Sequence, residues 1–463
     1  MPSWVSRQGE RLLRRAPSLP TWALASWCSK PGRRRHIGVV SKSFLRGITT
    51  SPSRGSARIP PSTPMKILLI SPVPPSPRFS GSGRRAFNTL RALASCGEVT
   101  LFAPVPDQHR PLLDECKPWC AQLVAPNVLV PRRSPADPRT RWGKYWDIIS
   151  TLEPPLMRQY DFAEFARVVR ELSGNSPDLI WVFKSWLAGP LPPVDWQRVV
   201  VDFDDLIFRV LRRTMRHTPS YGSKVFCENI DAWKEELFER RLCKRAALTL
   251  VCSEDDRRVL GHANVRVLPN CVDLDERPPS GEREDPDRLL FIGKMDTQPN
   301  VDAALYFCKS ILPHIRKVRA RAHAYIVGRE PPKELRALHT GTDVVVTGQV
   351  PDATPYFNAA GVVIVPLRAG GGTRVKILEA FAHCKAVVST AIGFEGLAVR
   401  QGVHLFEANT PRDFAAKCVS LMTDASLRKA LGMAGRELVE TRYSQAVFER
   451  TVRRCVSEVT GNL

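Results

Sequence analysis

Residues 360–390 read AGVVIVPLRAGGGTRVKILEAFAHCKAVVST, and the order of residue types along them decides the fold. The unbroken apolar run at 362–365 is too short for a helix and rich in β-branched residues, so it predicts a strand covered on both faces in a parallel sheet. Pro366 ends it, and Gly370, Gly371 and Gly372 follow in a loop whose backbone can take φ > 0 or approach a ligand closely. Thr373 is placed as N-cap of a helix in which Val375, Leu378 and Ala382 recur at helical spacing. Strand, glycine loop and helix N-terminus in that order make an anion site, with backbone N–H groups at a positive dipole end. Arg374 and Lys376 lie in the first turn, where cations oppose the dipole unless an anion binds between them. Glu379 would repel a phosphate unless it points at something neutral, and a pair of sugar hydroxyls is such a partner. A solvated helix with an ordinary Lys/Glu pair accounts for the same residues, so both readings stand at this level.

The stretch resembles the donor-site signature of the retaining GT-B glycosyltransferases of family 4 (glycosyl transferases group 1), in the branch reading Gly-Gly-x-x-x-Lys-x-Leu-Glu-Ala. The resemblance implies two Rossmann-like doubly wound domains facing across a cleft, an α/β fold. It implies that Gly371, Gly372, Thr373, Arg374 and Lys376 hold the diphosphate of a nucleotide sugar and that Glu379 binds its ribose hydroxyls. Many members carry a second glutamate eight positions before this one, and here that position is Gly371. Cys384 and Ala386 stand where the family has Gly and Pro. A non-glycine residue in a left-handed helix cap costs roughly 1 kcal/mol, so a differently formed turn is expected. Upstream, Gly293-Lys294 after the run at 289–292 matches a glycine and a basic residue that reaches the diphosphate. The family's second basic position there is Asn300. Pro269-Asn270-Cys271-Val272-Asp273 resembles the family's Pro-Asn-Gly-Val-Asp turn, and residues 393–396 resemble its loop closing the donor site.

The chain has 463 residues and a formal net charge of +22. Residues 1–64 hold twelve Lys/Arg against the single acid Glu10, so half of that excess sits in about a seventh of the length. This leader is rich in Ser and Pro and nearly free of acids, which suits an organellar transit peptide (plastid or mitochondrion). Initiation at Met65 and a cytoplasmic protein is the other reading, because Met65-Lys66-Ile67-Leu68 opens a strand directly. The remaining basic excess suits anionic donors, lipid phosphates or peripheral contact with an anionic membrane face, and a merely solvated basic surface fits equally. No zinc-finger spacing or aromatic ribonucleoprotein pattern occurs, so nucleic acid is not expected as a partner. No run of about 20 apolar residues occurs either, so no transmembrane helix is expected. The twelve cysteines are scattered and read as buried thiols of a reducing compartment.

From Met65 onward, apolar runs at 67–70, 99–102, 123–130, 179–183, 199–201, 247–252 and 265–268 alternate with helical patterns at 84–95, 161–173 and 228–243, which predicts a parallel doubly wound domain. Gly81 and Gly83 lie in the expected turn after the first strand, where the backbone can approach a ligand. Residues 131–160 show no clear period and read as a loop on the acceptor side. Asp202-Phe203-Asp204-Asp205 has three readings: a metal site, an acceptor-side base or hydrogen-bonding group, and a structural cap. The organisation is thus a leader (1–64), an acceptor-side domain (65–273), a linker (274–288), a nucleotide-sugar domain (289–443) and a C-terminal helix (444–463) that crosses back to the first domain.

The resemblance implies a metal-independent hexosyl- or related transferase with no cofactor beyond the nucleotide-diphosphate sugar donor. Its acceptor is a glycan, a lipid or a small molecule. Lys294 and Lys376 are the expected catalytic residues, and Gly81, Gly83, Gly293, Gly371, Gly372, Thr373, Arg374 and Glu379 the expected donor-binding ones. A non-catalytic nucleotide-sugar-binding protein, an epimerase and a phosphorylase of the same fold are the alternatives. A phosphorylase would need a cofactor-bearing lysine, and the sequence singles none out.

Overall fold

Buried β-branched runs become the strands, as their composition requires. In the computed structural model, which describes residues 64–132, 148, 151–217, 223–274, 284–370 and 372–461, they form two parallel sheets. The first contains β1 (Lys66–Ile70), β2 (Glu98–Phe102) and β3 (Gln122–Val124). A separate antiparallel pair, β4 (Val130–Pro131) with β5 (Tyr160–Asp161), lies outside it. The chain then returns to the first sheet with β6 (Leu179–Phe183), β7 (Val199–Asp202), β8 (Leu248–Val251) and β9 (Val265–Val267). Its order is β3-β2-β1-β6-β7-β8-β9. The second sheet contains β10 (Asp285–Ile292), β11 (His323–Val327), β12 (Val344–Gly348), β13 (Ala360–Val365), β14 (Val387–Ser389) and β15 (Phe406–Glu407), ordered β12-β11-β10-β13-β14-β15. Each order reverses once, between β1 and β6 and between β10 and β13. In open parallel sheets, ligands bind beyond the carboxyl ends of the strands at such reversals.

The strand predicted at 362–365 is β13, which is buried along its whole length between β10 and β14. Several expectations are corrected. The run at 123–130 divides into β3 and β4, because residues between them leave the sheet. The first helix spans Gly81–Ala94 with Ser80 as N-cap, so Gly81 and Gly83 are its first and third residues and form no turn ahead of it. Gly83 is required there: a Cβ would stand 2.9 Å from the Ser76 carbonyl oxygen, where the preceding loop folds over the helix. The second sheet begins at Asp285, four residues ahead of Leu289. Cys384 takes the left-handed conformation itself, at φ 54°, with its N–H and that of Lys385 donating to Phe381 O and Ala380 O. The turn expected to differ is therefore the left-handed one, made without glycine. The leader, Gly371, most of the 131–160 segment and most of the linker lie outside the described residues.

Met65–Leu463 form one unit. The C-terminal helix Gln445–Thr460 places Phe448, Val452, Cys455 and Val456 in the same apolar core as Ile67, Leu69, Leu101 and Trp181 of the first sheet. The described cysteines are free thiols, seven of them buried and four partly so.

One charged pair sits in the first core. Arg85 and Asp202 are both fully buried, joined by Nη2–Oδ1 at 2.8 Å and Nε–Oδ2 at 3.1 Å. Arg85→Met would strand the Asp202 carboxylate in the core and is expected to lower stability by roughly 3–5 kcal/mol. Arg85→Met combined with Asp202→Leu should recover part of that. Chemical unfolding of the three chains checks it, and a single variant as stable as wild type would mean the pair is not structural.

Candidate functional site

At the reversal of the second sheet, β10 ends in Gly293-Lys294 and β13 leads into the glycine loop and the helix Val375–Ala382. Gly293 lets Lys376 and Asn300 come close: a Cβ there would stand 2.8 Å from Lys376 Nζ and 2.9 Å from Asn300 Nδ2, and would push those side chains aside. Lys376 reaches over the end of β10. Its ammonium lies 4.3 Å from the Phe291 ring centroid and donates to Asn300 Oδ1 at 2.8 Å. Asn300 is oriented in turn by donating from Nδ2 to Lys294 O and Thr297 Oγ1, both at 2.8 Å. A lysine ammonium thus reaches position 300, where the resembled family has a basic residue of its own. Enclosure by protein, with Arg374 nearby, brings Lys376 down to about 7. Lys294 is also lowered by burial, against the opposing pull of Asp296, which lies 3.6 Å away.

The helix begins one residue later than expected, so Arg374 and not Thr373 occupies the N-cap position. Thr373 looks across the cleft instead, its Oγ1 accepting from Asn270 Nδ2 at 2.7 Å. Arg374 folds back under the loop: its Nη2 would lie 3.0 Å from a Cβ on Gly370, and burial holds its guanidinium down to about 10. Gly372 has φ +69°, and a Cβ there would overlap the Asp205 carboxylate of the first half. Burial, with Asp204 beside it, raises Asp205 to about 6.

From the first half, the loop before the Gly81–Ala94 helix closes on this arrangement. Arg84 Nη1 donates to Glu379 Oε1 at 2.6 Å. The Phe79 ring centroid lies 5.9 Å from Lys294 Nζ and 5.8 Å from Arg329 Cζ. Asp202 is held by Arg85, and Asp204 accepts from Lys184 Nζ and Ser82 Oγ, each at 2.6 Å, so both act as anchors for the turn at the end of β7. The helix Ile207–His217 supplies two more cross-cleft cations. Arg209 and Arg213 both pair with Glu395 of the loop after β14, and Arg213 Nη1 also donates to Gly370 O at 3.4 Å. Sequence reasoning missed this helix, Arg84 and Arg329, and named Asn270 in its turn without the contact to Thr373. Apolar Ile207, Val210 and Leu211 at helical spacing were the available signal for the helix; Arg84 in the first turn of its helix and Arg329 after a strand carry none. The structure therefore gathers Lys294, Lys376, Gly293, Gly372, Thr373 and Glu379 around one cleft, and turns Arg374 beneath it. Gly83 shapes the facing loop, while Gly81 has open space beside it.

Residues 286–424 match the family described as Glycosyl transferases group 1. The chain is similar in structure to sucrose-phosphate synthase from Thermosynechococcus elongatus, with 15% identity over 86% of this chain and 100% of that one and a TM-score of 0.62. It is likewise similar to Anabaena HepE in complex with UDP and glucose (15% identity, 85% and 99% covered, TM-score 0.56). A third similar structure is WaaG, a glycosyltransferase involved in lipopolysaccharide biosynthesis (14% identity, 84% and 99% covered, TM-score 0.55). An uncharacterized 44.6 kDa protein in the cps region of Klebsiella pneumoniae is 22% identical over 169 residues, 35% of this chain and 44% of that protein, so the match spans less than half of that relative. Two parallel sheets with one reversal each, facing across a cleft, are the GT-B fold of these structures.

The enclosed lysine has a measurable consequence. Between about 7 and its ordinary 10.5, the unfolded chain binds a proton at Lys376 that the folded chain does not, so stability rises with pH across that window. Lys376→Met removes the charge that is costly to enclose. It should be more stable than wild type at pH 7 and below, with the difference closing toward pH 10.5. Urea unfolding at about pH 6.5, 8 and 9.5 tests this, and a difference that stays constant over the three would show that the ammonium is not enclosed.

Proposed function

We propose that this chain is a glycosyltransferase that moves a sugar from a nucleotide-diphosphate sugar to an acceptor with retention at the anomeric carbon. The observation that carries the reading is the placement of Lys294, Lys376 and Glu379 together at the sheet reversal, two cations and one carboxylate in the order a diphosphate and a ribose require. The family match over residues 286–424 contains all three, and HepE, of similar fold, is described in complex with UDP and glucose. In transfer, the bond between the anomeric carbon and the diphosphate oxygen breaks, its electron pair stays on the diphosphate, and the acceptor oxygen bonds to the carbon as it gives up its proton to the departing diphosphate. The barrier lies largely in the charge that develops on the departing oxygen. Lys294, Lys376 and the backbone N–H groups of the glycine loop stabilise it, so no metal is needed for that task.

Glu379 is occupied by Arg84, and the pair is about a quarter to a third exposed. Pairs exposed to solvent contribute roughly 0–1 kcal/mol, so a ribose offering two hydroxyls can take the place of Arg84. The acceptor faces the loops of the first sheet. Gly371, where a glutamate would touch the transferred sugar in the resembled family, favours one other reading, a binding protein without turnover.

Incubation with a panel of nucleotide sugars, with nucleotide diphosphate measured as the product, separates the two: release marks a transferase, and tight binding without release marks the binding protein. For the ribose, Glu379→Gln should weaken the donor by roughly 1–3 kcal/mol. A 2′,3′-dideoxy donor should bind wild type poorly and lose little further in the variant. Calorimetry on the four combinations gives a coupling energy, and a value near zero would remove Glu379 from the ribose site.

A further inference from the structure

We infer that Arg329 is a third cation of the diphosphate site, reaching the terminal phosphate beside Lys294; the inference rests on the reading above. Arg329 follows β11, which pairs with β10 in register up to Ile292 and Val327. The two strand ends are locked together there. Gly293 N donates to Val327 O and Met295 N to Arg329 O, both at 3.0 Å, and a Cβ on Gly328 would overlap Gly293 O. The backbone of Arg329 is therefore fixed to the turn that carries Lys294.

Both side chains stand beside the Phe79 ring, and Arg329 is near enough to Lys294 to oppose its charge. Lys294 Nζ and Arg329 Cζ stand at almost equal distance from the Phe79 ring, 5.9 and 5.8 Å, and His109 meets the edge of that ring at 4.9 Å between centroids. Lys294 has Asp296 nearby at 3.6 Å, whereas Arg329 has no ion pair among the described residues and its Nε is buried without a hydrogen-bond partner. The ring attracts each cation, but two like charges held near one another, one with an unsatisfied buried donor, leave a repulsion and a desolvation cost that the ring does not cancel. An anion between them removes the cost. The planar fork of a guanidinium suits a phosphate with two or three terminal oxygens better than an ammonium does. The charge balance agrees: position 300 is an asparagine, so Lys294 and Lys376 alone face a group that gains negative charge as the glycosyl bond breaks. His109 is lowered by burial and then by Arg329 and Lys294, so it adds no competing cation near neutral pH.

The test uses the full chain and calorimetric titration with UDP, GDP, ADP and dTDP, and with the monophosphate of whichever binds tightest. Arg329→Met should weaken the diphosphate about tenfold or more and the monophosphate less than about threefold, because only the terminal phosphate is lost as a partner. Arg329→Lys should restore part of the difference, and equal thermal midpoints for the three chains exclude a folding effect. If Arg329→Met does not fold, Arg329→Lys still reads the same ratio at smaller amplitude. Equal weakening of diphosphate and monophosphate, or none in a chain where Lys376→Met does weaken the diphosphate, overturns the inference and leaves the transferase reading intact. Failure of wild type to bind any of the four diphosphates overturns both.

Discussion

The cleft depends on a line of polar contacts that starts in the core of the first half and ends on the glycine loop of the second. Asp202 at the end of β7 fixes Arg85; Arg85 Nη1 donates to Leu268 O at 2.7 Å and to Asn270 Oδ1 at 3.1 Å; Asn270 then donates from Nδ2 to Thr373. An amide with its oxygen committed to a guanidinium has only its N–H groups left for a partner, so Arg85 dictates which way Asn270 faces. Burial gives the line its stiffness. A charged pair with no exposure cannot exchange its partners for water, and the Asp-x-Asp motif that invites a metal reading is used for this purpose.

Much of the fold could be read from the sequence because it is a local property. Residues 362–365 are apolar, β-branched and bounded by Pro366, a pattern that suits a buried parallel strand and is too short for a helix. The same holds for 67–70 and 179–183. The failures have different causes. Thr373 has every feature of an N-cap, yet its hydroxyl is taken by Asn270, 103 positions away, and the helix starts one residue later. Cys384 violates the glycine preference of a left-handed cap and still forms the turn, at a cost of roughly 1 kcal/mol that two backbone hydrogen bonds and the packing around them outweigh.

The site was legible only on one side. Lys294 sits just past a strand end, and Lys376 and Glu379 in the helix that follows the glycine loop of the same sheet, so a reader of spacing can find them. Arg84 meets Glu379 across 295 positions and Arg213 meets Glu395 across 182. No periodicity encodes such pairs. They follow from the way the two sheets face each other, which is a tertiary fact. Arg329 escaped for a different reason: Gly-Arg-Glu-Pro after a strand looks like any polar turn, and only the fixed neighbourhood of Lys294 and Phe79 gives the guanidinium a direction.

Position 300 shows how the loss of one charge changes the surroundings of another. An asparagine there removes one cation, and its oxygen accepts the Lys376 ammonium while its N–H groups bond to Lys294 O and Thr297, so a neutral residue now positions the lysine that the glycine-loop motif supplies. The exchange alters the physics of the site. A basic residue at the surface of the loop would stay protonated, whereas Lys376 is enclosed against Phe291 and sits near 7. An incoming dianion favours the charged form and draws the equilibrium back toward protonation. Charge at this point therefore becomes full when an anion is present and is partly relinquished when it is not, which limits the repulsion that Lys294, Lys376 and Arg374 would otherwise impose on the folded chain.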